Sequence, residues 1–273
     1  MELNENKVKE IQESEKIDID FSYQKLISFS QYQIYTQCPH RWKLQYIDKI
    51  KDQKPNMFAI FGTSIHEVLQ LYLDTMYNNT GVAADNLDLE ETFKTTFTEL
   101  YKENIKKNKG EHFSDPSEMR DFYNDGLSII HYFKKNRKKY FAKKGWTLVG
   151  IELPILHPVN DTHKNIYMRG YLDVVMYNHN TNEITIIDIK TSYMGWGVKN
   201  RKDQLKISQL ILYKNYFSKQ YKVPVENINI QYFIVKRKIW EESTFPQSRV
   251  QIFAPPSGKT KQNKLTTSID EFV

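Results

Sequence analysis

The chain has 273 residues, 40% of them hydrophobic and 26% charged, a balance that excludes a disordered protein and leaves room for a sizeable core. Its net charge of +6, with a pI near 9.0 and 14% aromatic residues, favours an anionic partner. A single cysteine, Cys38, excludes an intrachain disulfide and any cysteine-based zinc or iron–sulfur site built from this chain alone, and no apolar run is long enough to span a membrane.

Residues 1–20 are polar and charged and are expected to form a frayed leader. Ser30 suits the N-cap of a short helix over Gln31–Thr36; Pro39 breaks that helix and starts the next, His40–Ile47. Lys49–Pro55 is a polar connector. Gly62-Thr63-Ser64 leads into a helix over Ile65–Tyr77, where Ile65, Leu69, Tyr72 and Leu73 follow helical spacing. Asn78–Asp85 reads as a loop. Leu87–Lys107 is amphipathic, with Phe93, Phe97 and Tyr101 best read as core. Asp115-Pro116-Ser117 opens a helix to about Phe141, which ends in the basic stretch Lys134–Lys144.

From Trp146 the pattern changes to strands. Trp146–Leu156 carries Glu152. Tyr167–Tyr177 and Ile184–Ile189 are β-branched and aromatic, and the turn formers Asn178–Asn182 join them into a hairpin. Lys199–Asp203 is a basic loop, Gln204–Tyr221 a helix, Ile228–Val235 a strand and Arg249–Phe253 an edge strand. The expected organisation is one domain over residues 21–253, helical over about 28–144 and sheet over about 146–253, followed by a basic tail over 254–273.

The hairpin carries the chemistry. Asp188 and Lys190 are two apart, so in a strand both side chains leave one face. With the turn at Asn178–Asn182, Asp173 sits near Asp188. Two carboxylates and a lysine then converge within an apolar sheet, where charge is costly unless paired or bound to metal. A structural ion pair is the plain alternative; a divalent-metal site accounts for the trio better.

Several short motifs accompany the trio in a fixed order. Ser28-Phe29-Ser30, Tyr32, Cys38-Pro39, Trp42 and Tyr46 come first, then Gly62-Thr63-Ser64-Ile65-His66. Glu152 precedes Gly170-x-x-Asp173 and Asp188-Ile189-Lys190, and Gln209-x-x-x-Tyr213 follows. Together they resemble the PD-(D/E)XK nuclease superfamily, and within it the RecB-like group that includes the CRISPR adaptation nucleases and the AddA/AddB nuclease domains. The resemblance covers about Ser28 to Val235. It implies an α/β fold: a restriction-endonuclease-like core with a central mixed β-sheet flanked by helices, and an N-terminal helical subdomain. Relatives with an iron–sulfur cluster carry four cysteines, so the lone Cys38 implies a cluster-free branch in which Cys38 packs as a small buried residue.

The resemblance also implies roles. His66, Asp173, Asp188 and the Ile189 carbonyl would bind Mg²⁺ or Mn²⁺. Lys190 would position or help deprotonate the attacking water and offset phosphate charge. Glu152, Gln209 and Tyr213 would complete the catalytic group, the last two also touching nucleic acid. Lys138, Lys139, Lys143, Lys199, Arg201 and Lys202 would track the backbone of single-stranded or end-bearing DNA, under a helical arch formed by Leu87–Lys144. No G-x-x-x-x-G-K-[ST] occurs, so no ATP motor is expected. The implied activity is a metal-dependent exonuclease of replication, recombination or repair in a bacterial or phage-infected cytoplasm, with partner proteins from those processes. A flap or junction endonuclease and a non-catalytic nucleic-acid-binding assembly subunit are the alternatives.

Overall fold

The computed structural model describes residues 3–14, 25–50, 54–240 and 242–273. The N-terminal part runs α1 (Glu5–Glu13), β1 (Lys25–Ser28), α2 (Phe29–Gln37) and α3 (Pro39–Trp42), which continues as a π-helical turn, Lys43–Ile47. Then come α4 (Met57–Asn78), α5 (Gly81–Asp85), α6 (Leu89–Lys107) and α7 (Pro116–Asn136). The remainder is β2 (Trp146–Pro158), β3 (Ile166–Asn178), β4 (Glu183–Ser192), α8 (Val198–Lys202), α9 (Gln204–Tyr221), β5 (Ile228–Lys236), β6 (Val250–Phe253) and α10 (Lys259–Phe272).

The strands form one mixed six-stranded sheet. β3 pairs antiparallel with β2 along one edge. Its other edge is shared: β4 pairs antiparallel with Val174–Asn178, and β1 pairs parallel with Ile166–Arg169. β4 continues through parallel β5 to antiparallel β6. Between β1 and β4 the edge of β3 forks, leaving residues 170–173 without a strand partner on that side among the described residues. β4 is buried without alternation from Ile184 to Ile189 because helices cover both faces of the sheet there. One core joins α1, α2, α9 and α10 to the sheet, and a second joins α4, α6 and α7 to its opposite face.

Leu172 packs into the first core and Val174 into the second, although residues two apart share a face in a regular strand. Opposite Asp173 in the register lies Glu152, whose φ is +50°, a left-handed conformation rare for a side chain of this kind. The twist at Glu152 and Asp173 swaps the faces of the β2–β3 pair beside the fork.

Several expectations change. Glu5–Glu13 is a helix capped by Asn4, with Val8 and Ile11 buried, where a frayed leader was expected; Leu3 is buried too. The rest of residues 1–20 lies largely outside the described residues. The basic tail contains α10, whose Leu265, Ile269 and Phe272 are buried. Its lysines occupy the outer face of an amphipathic helix, so the charge hid the apolar stripe. Ser28, not Ser30, caps α2 by accepting from Gln31 N at 3.3 Å. Cys38 is exposed rather than buried, because it lies in the extended joint between α2 and α3. Gly81–Asp85 and Val198–Lys202 are short helices in place of loops.

Helix α4 starts eight residues before Ile65, capped by Asn56, which accepts from Ala59 N at 2.8 Å. Gly62 therefore lies inside the helix. A Cβ there would stand 3.3 Å from Thr191 Oγ1, so glycine lets α4 approach β4 closely.

Candidate active site

The fork opens into a cavity of about 410 Å³ lined by residues 26–31, by Arg169, Gly170, Tyr171 and Asp173, and by Glu152, Asp188, Lys190, Gln209 and Tyr213. Asp173 and Asp188 stand one register step beyond the last β3–β4 pair, Val174 and Ile187. Asp173 Oδ2 accepts from Ile189 N at 2.7 Å. Asp188 Oδ2 lies 2.7 Å from Lys190 Nζ, an ion pair whose alignment falls short of a hydrogen bond. The expectation that Asp188 and Lys190 share a face, with Asp173 beside them, matches this arrangement.

From α4, below the sheet, His66 brings Nδ1 to 3.5 Å from Asp173 Oδ2. One turn on, Gln70 donates to Glu152 Oε1 at 2.6 Å and to the Asp173 carbonyl at 3.1 Å. Gln70 is 8% exposed and ties the left-handed Glu152 to Asp173. No sequence motif marked it; its place four residues after His66, on the same helical face, was the available signal. From α9, above the sheet, Gln209 Nε2 reaches Tyr213 Oη at 3.4 Å. The Tyr213 ring lies against Gly170: a Cβ there would meet Tyr213 Cε1 at 2.7 Å. The glycine of Gly-x-x-Asp thus makes room for the tyrosine of Gln-x-x-x-Tyr.

The electrostatics follow from burial. Loss of water pushes the Asp173 and Asp188 carboxyls up to about 6, against the pull of Lys190 on both. Burial works against the Lys190 ammonium, but Asp188 and Asp173 outweigh it and hold its pKa above the ordinary value. Burial, then Lys190, push His66 down despite Asp188 and Glu152, so the imidazole is neutral with a lone pair to offer. Burial raises the Tyr213 phenol, which stays a hydrogen-bond donor.

Among the described residues, no group of three or more His, Cys, Asp and Glu side chains is gathered as a closed metal shell. Asp173 is turned to the Ile189 amide and Asp188 to Lys190. Even so, the donor set suits a cation: two buried carboxylates with raised pKa values, one of them carrying an oxygen without a hydrogen bond, beside a neutral imidazole.

The basic residues expected along the DNA divide. Lys138 and Lys139 line a different cavity, with Trp146, Thr185 and Ile187 toward the hairpin turn, and Lys143 Nζ donates to the Asn79 carbonyl. No residue of α6 or α7 lines the site cavity, so these helices do not arch over it. α6 packs on α4 and α7 instead, and α7 reaches β5 through Phe133 and Phe233, because their aromatic stripe is core. Lys199, Arg201 and Lys202 lie on α8, just before the helix that carries Gln209 and Tyr213.

A mixed sheet flanked by helices, with these carboxylates and a lysine at the fork of its strands, is a restriction-endonuclease-like core. The model of the PD-(D/E)XK nuclease superfamily matches residues 26–271, and the chain belongs to that superfamily. A crystal structure from Eubacterium rectale, of a protein named only as a candidate exonuclease, shares the fold with TM-score 0.51 at 12% identity, covering 99% of this chain and 84% of that one. No curated protein matches the sequence.

Proposed function

We propose that the protein is a divalent-metal-dependent deoxyribonuclease that degrades single-stranded or end-bearing DNA from its ends. The observation that carries the nuclease reading is the placement of Asp173 across from Asp188, one step past the last β3–β4 pair and beside Lys190, facing an open cavity. Asp173, Asp188, the Ile189 carbonyl and neutral His66 would hold Mg²⁺ or Mn²⁺, the imidazole favouring the softer Mn²⁺. The ion would lower the pKa of bound water and stabilise the charge that builds on the pentavalent phosphate. Lys190, held protonated by its two carboxylate neighbours, offsets negative charge on the phosphate rather than acting as a base. Gln209 and Tyr213 donate to non-bridging phosphate oxygens, and Glu152, steadied by Gln70, completes the acidic wall. The exonuclease part leans on the name of the structural neighbour, since no arch of α6 and α7 covers the cavity.

The test is digestion of end-labelled linear and closed circular single-stranded DNA, with Mg²⁺ and Mn²⁺ in parallel. Linear DNA is consumed and the circle survives. Cutting of the circle overturns the exonuclease reading in favour of an endonuclease. If neither ion supports cleavage, or if Asp188→Ala cleaves as well as the wild type, the catalytic reading falls.

A further inference from the structure

A second cavity, of about 980 Å³, lies between the α3 and π-helical turn, the start of α4 and the end of α6. Among the described residues, four cations line it, Arg41, Lys54, Lys107 and Lys109, against one carboxylate, Glu111. Lys107 meets Glu103 only at 3.9 Å, and Arg41, Lys54 and Lys109 form no ion pair among the described residues. Lys109 is held there in a left-handed conformation, φ +59°, followed by Gly110 at +87°. Four like charges gathered around one concavity repel one another unless an anion enters it.

One face of α4 runs from the lining of this cavity to the side chains that meet Asp173 and Glu152. At about 100° per residue, Ala59, Thr63, His66 and Gln70 fall within an arc of about 60°. Ala59 and Thr63 line the basic cavity, His66 faces Asp173, and Gln70 holds Glu152. Exposure falls along this stripe, from exposed Thr63 through half-buried His66 to buried Gln70, as in a groove that descends to the fork. The other polar groups in its lining are neutral, the amides of Gln45, Asn56, Asn104 and Asn108 and the Thr63 hydroxyl. Cations with neutral donors suit a backbone of repeating phosphates, and no aromatic ring among the described residues lines it to stack on bases, so binding would be independent of sequence.

We propose that this groove binds the phosphodiester backbone of the DNA strand whose cleaved phosphate sits at Asp173 and Asp188, with Arg41, Lys54, Lys107 and Lys109 as its phosphate contacts. The proposal rests on the nuclease reading for its substrate, but its test is binding, not cleavage. A fluorescent single-stranded oligonucleotide is titrated by anisotropy, in EDTA and over a range of salt, against three full-length variants. Arg41→Ala/Lys54→Ala/Lys109→Ala is expected to bind on the order of tenfold or more weakly, with a log K against log salt slope shallower by about 2, from about 0.7 per lost contact. The charge-retaining Arg41→Lys/Lys54→Arg/Lys109→Arg is expected to bind as the wild type, which separates lost charge from a lost fold. Lys259→Ala/Lys261→Ala/Lys264→Ala, on α10 and outside the groove, is expected to change the slope little. Equal affinity and slope for the groove variant and the wild type overturn the groove, whatever the cleavage assay gives. So does loss of binding in the charge-retaining variant. Binding lost only in the groove variant, by a protein that cleaves no DNA with either ion, keeps the groove and overturns the nuclease reading instead.

Discussion

Asp173 and Asp188 face each other across β3 and β4 one step past the last paired residues, where β3 leaves β4 for β1. Their carboxyls are pushed to about 6 from an ordinary 3.8 by burial. A carboxyl whose pKa is higher in the folded state stabilises the fold below its unfolded value, and that stability is lost as pH rises through the folded value. The metal-free protein thus carries a cost above pH 6 that is absent near pH 4. Asp188→Asn is expected to abolish cleavage yet stabilise the metal-free protein at pH 7.5 by about 1–2 kcal/mol, allowing for the sharing of charge with Lys190. Thermal melts in EDTA at pH 7.5 and 5 check this. The gain narrows at the lower pH, and a gain independent of pH would contradict the burial account.

Gly170 is the only residue type that fits against the Tyr213 ring. Gly170→Ala places a Cβ 2.7 Å from Cε1, so the ring moves out of the cavity. The expected effect is a loss of about 1–3 kcal/mol in urea unfolding, typical of overpacking, with reduced cleavage. Gly170→Ala/Tyr213→Leu should recover the stability but not the cleavage. If the double variant is no more stable than the single one, the clash lies elsewhere.

Gln70 gives its amide protons to Glu152 and to the Asp173 carbonyl. Gln70→Glu keeps the shape, removes both protons and sets a carboxylate against Glu152. A loss of about 1–3 kcal/mol is expected at pH 7.5, with a fall in cleavage rate, since the half-buried Asp173 carbonyl loses a donor and two carboxylates are set together. Gln70→Glu indistinguishable from wild type in both melt and rate would remove Gln70 from the site.

Phe272 joins Tyr32, Tyr35 and Trp42 in one aromatic group, with rings at 6.0, 4.9 and 5.6 Å. Tyr32 Oη also donates to Ser268 Oγ at 2.9 Å. Phe272→Ala is expected to cost about 3 kcal/mol in denaturant unfolding, although it lies next to the end of the chain. A cost under half of that would mean α10 contributes little to the core.

The hairpin, the Asp-x-Lys face and the full span of α9 were legible in the sequence, because each depends on local periodicity. The run Ile184–Ile189 reads as a strand whatever lies around it, and Asp203 caps Gln204–Tyr221 through Leu205 N and Lys206 N. Asp173 could be placed near Asp188 because a short turn fixes the register of its hairpin. Long-range contacts left no such trace. Gln70 meets Asp173 across 103 positions and Tyr32 meets Ser268 across 236, and no periodicity encodes either. Gly62 reads locally as a helix breaker, yet the approach of Thr191 makes it a helix residue. The fork exists only because β1, from far upstream, takes over an edge that β4 abandons. The sequence by itself determined which groups could do the chemistry. Tertiary structure decided where they stand and which side chains border them, because burial and charge act between elements that chain order keeps apart.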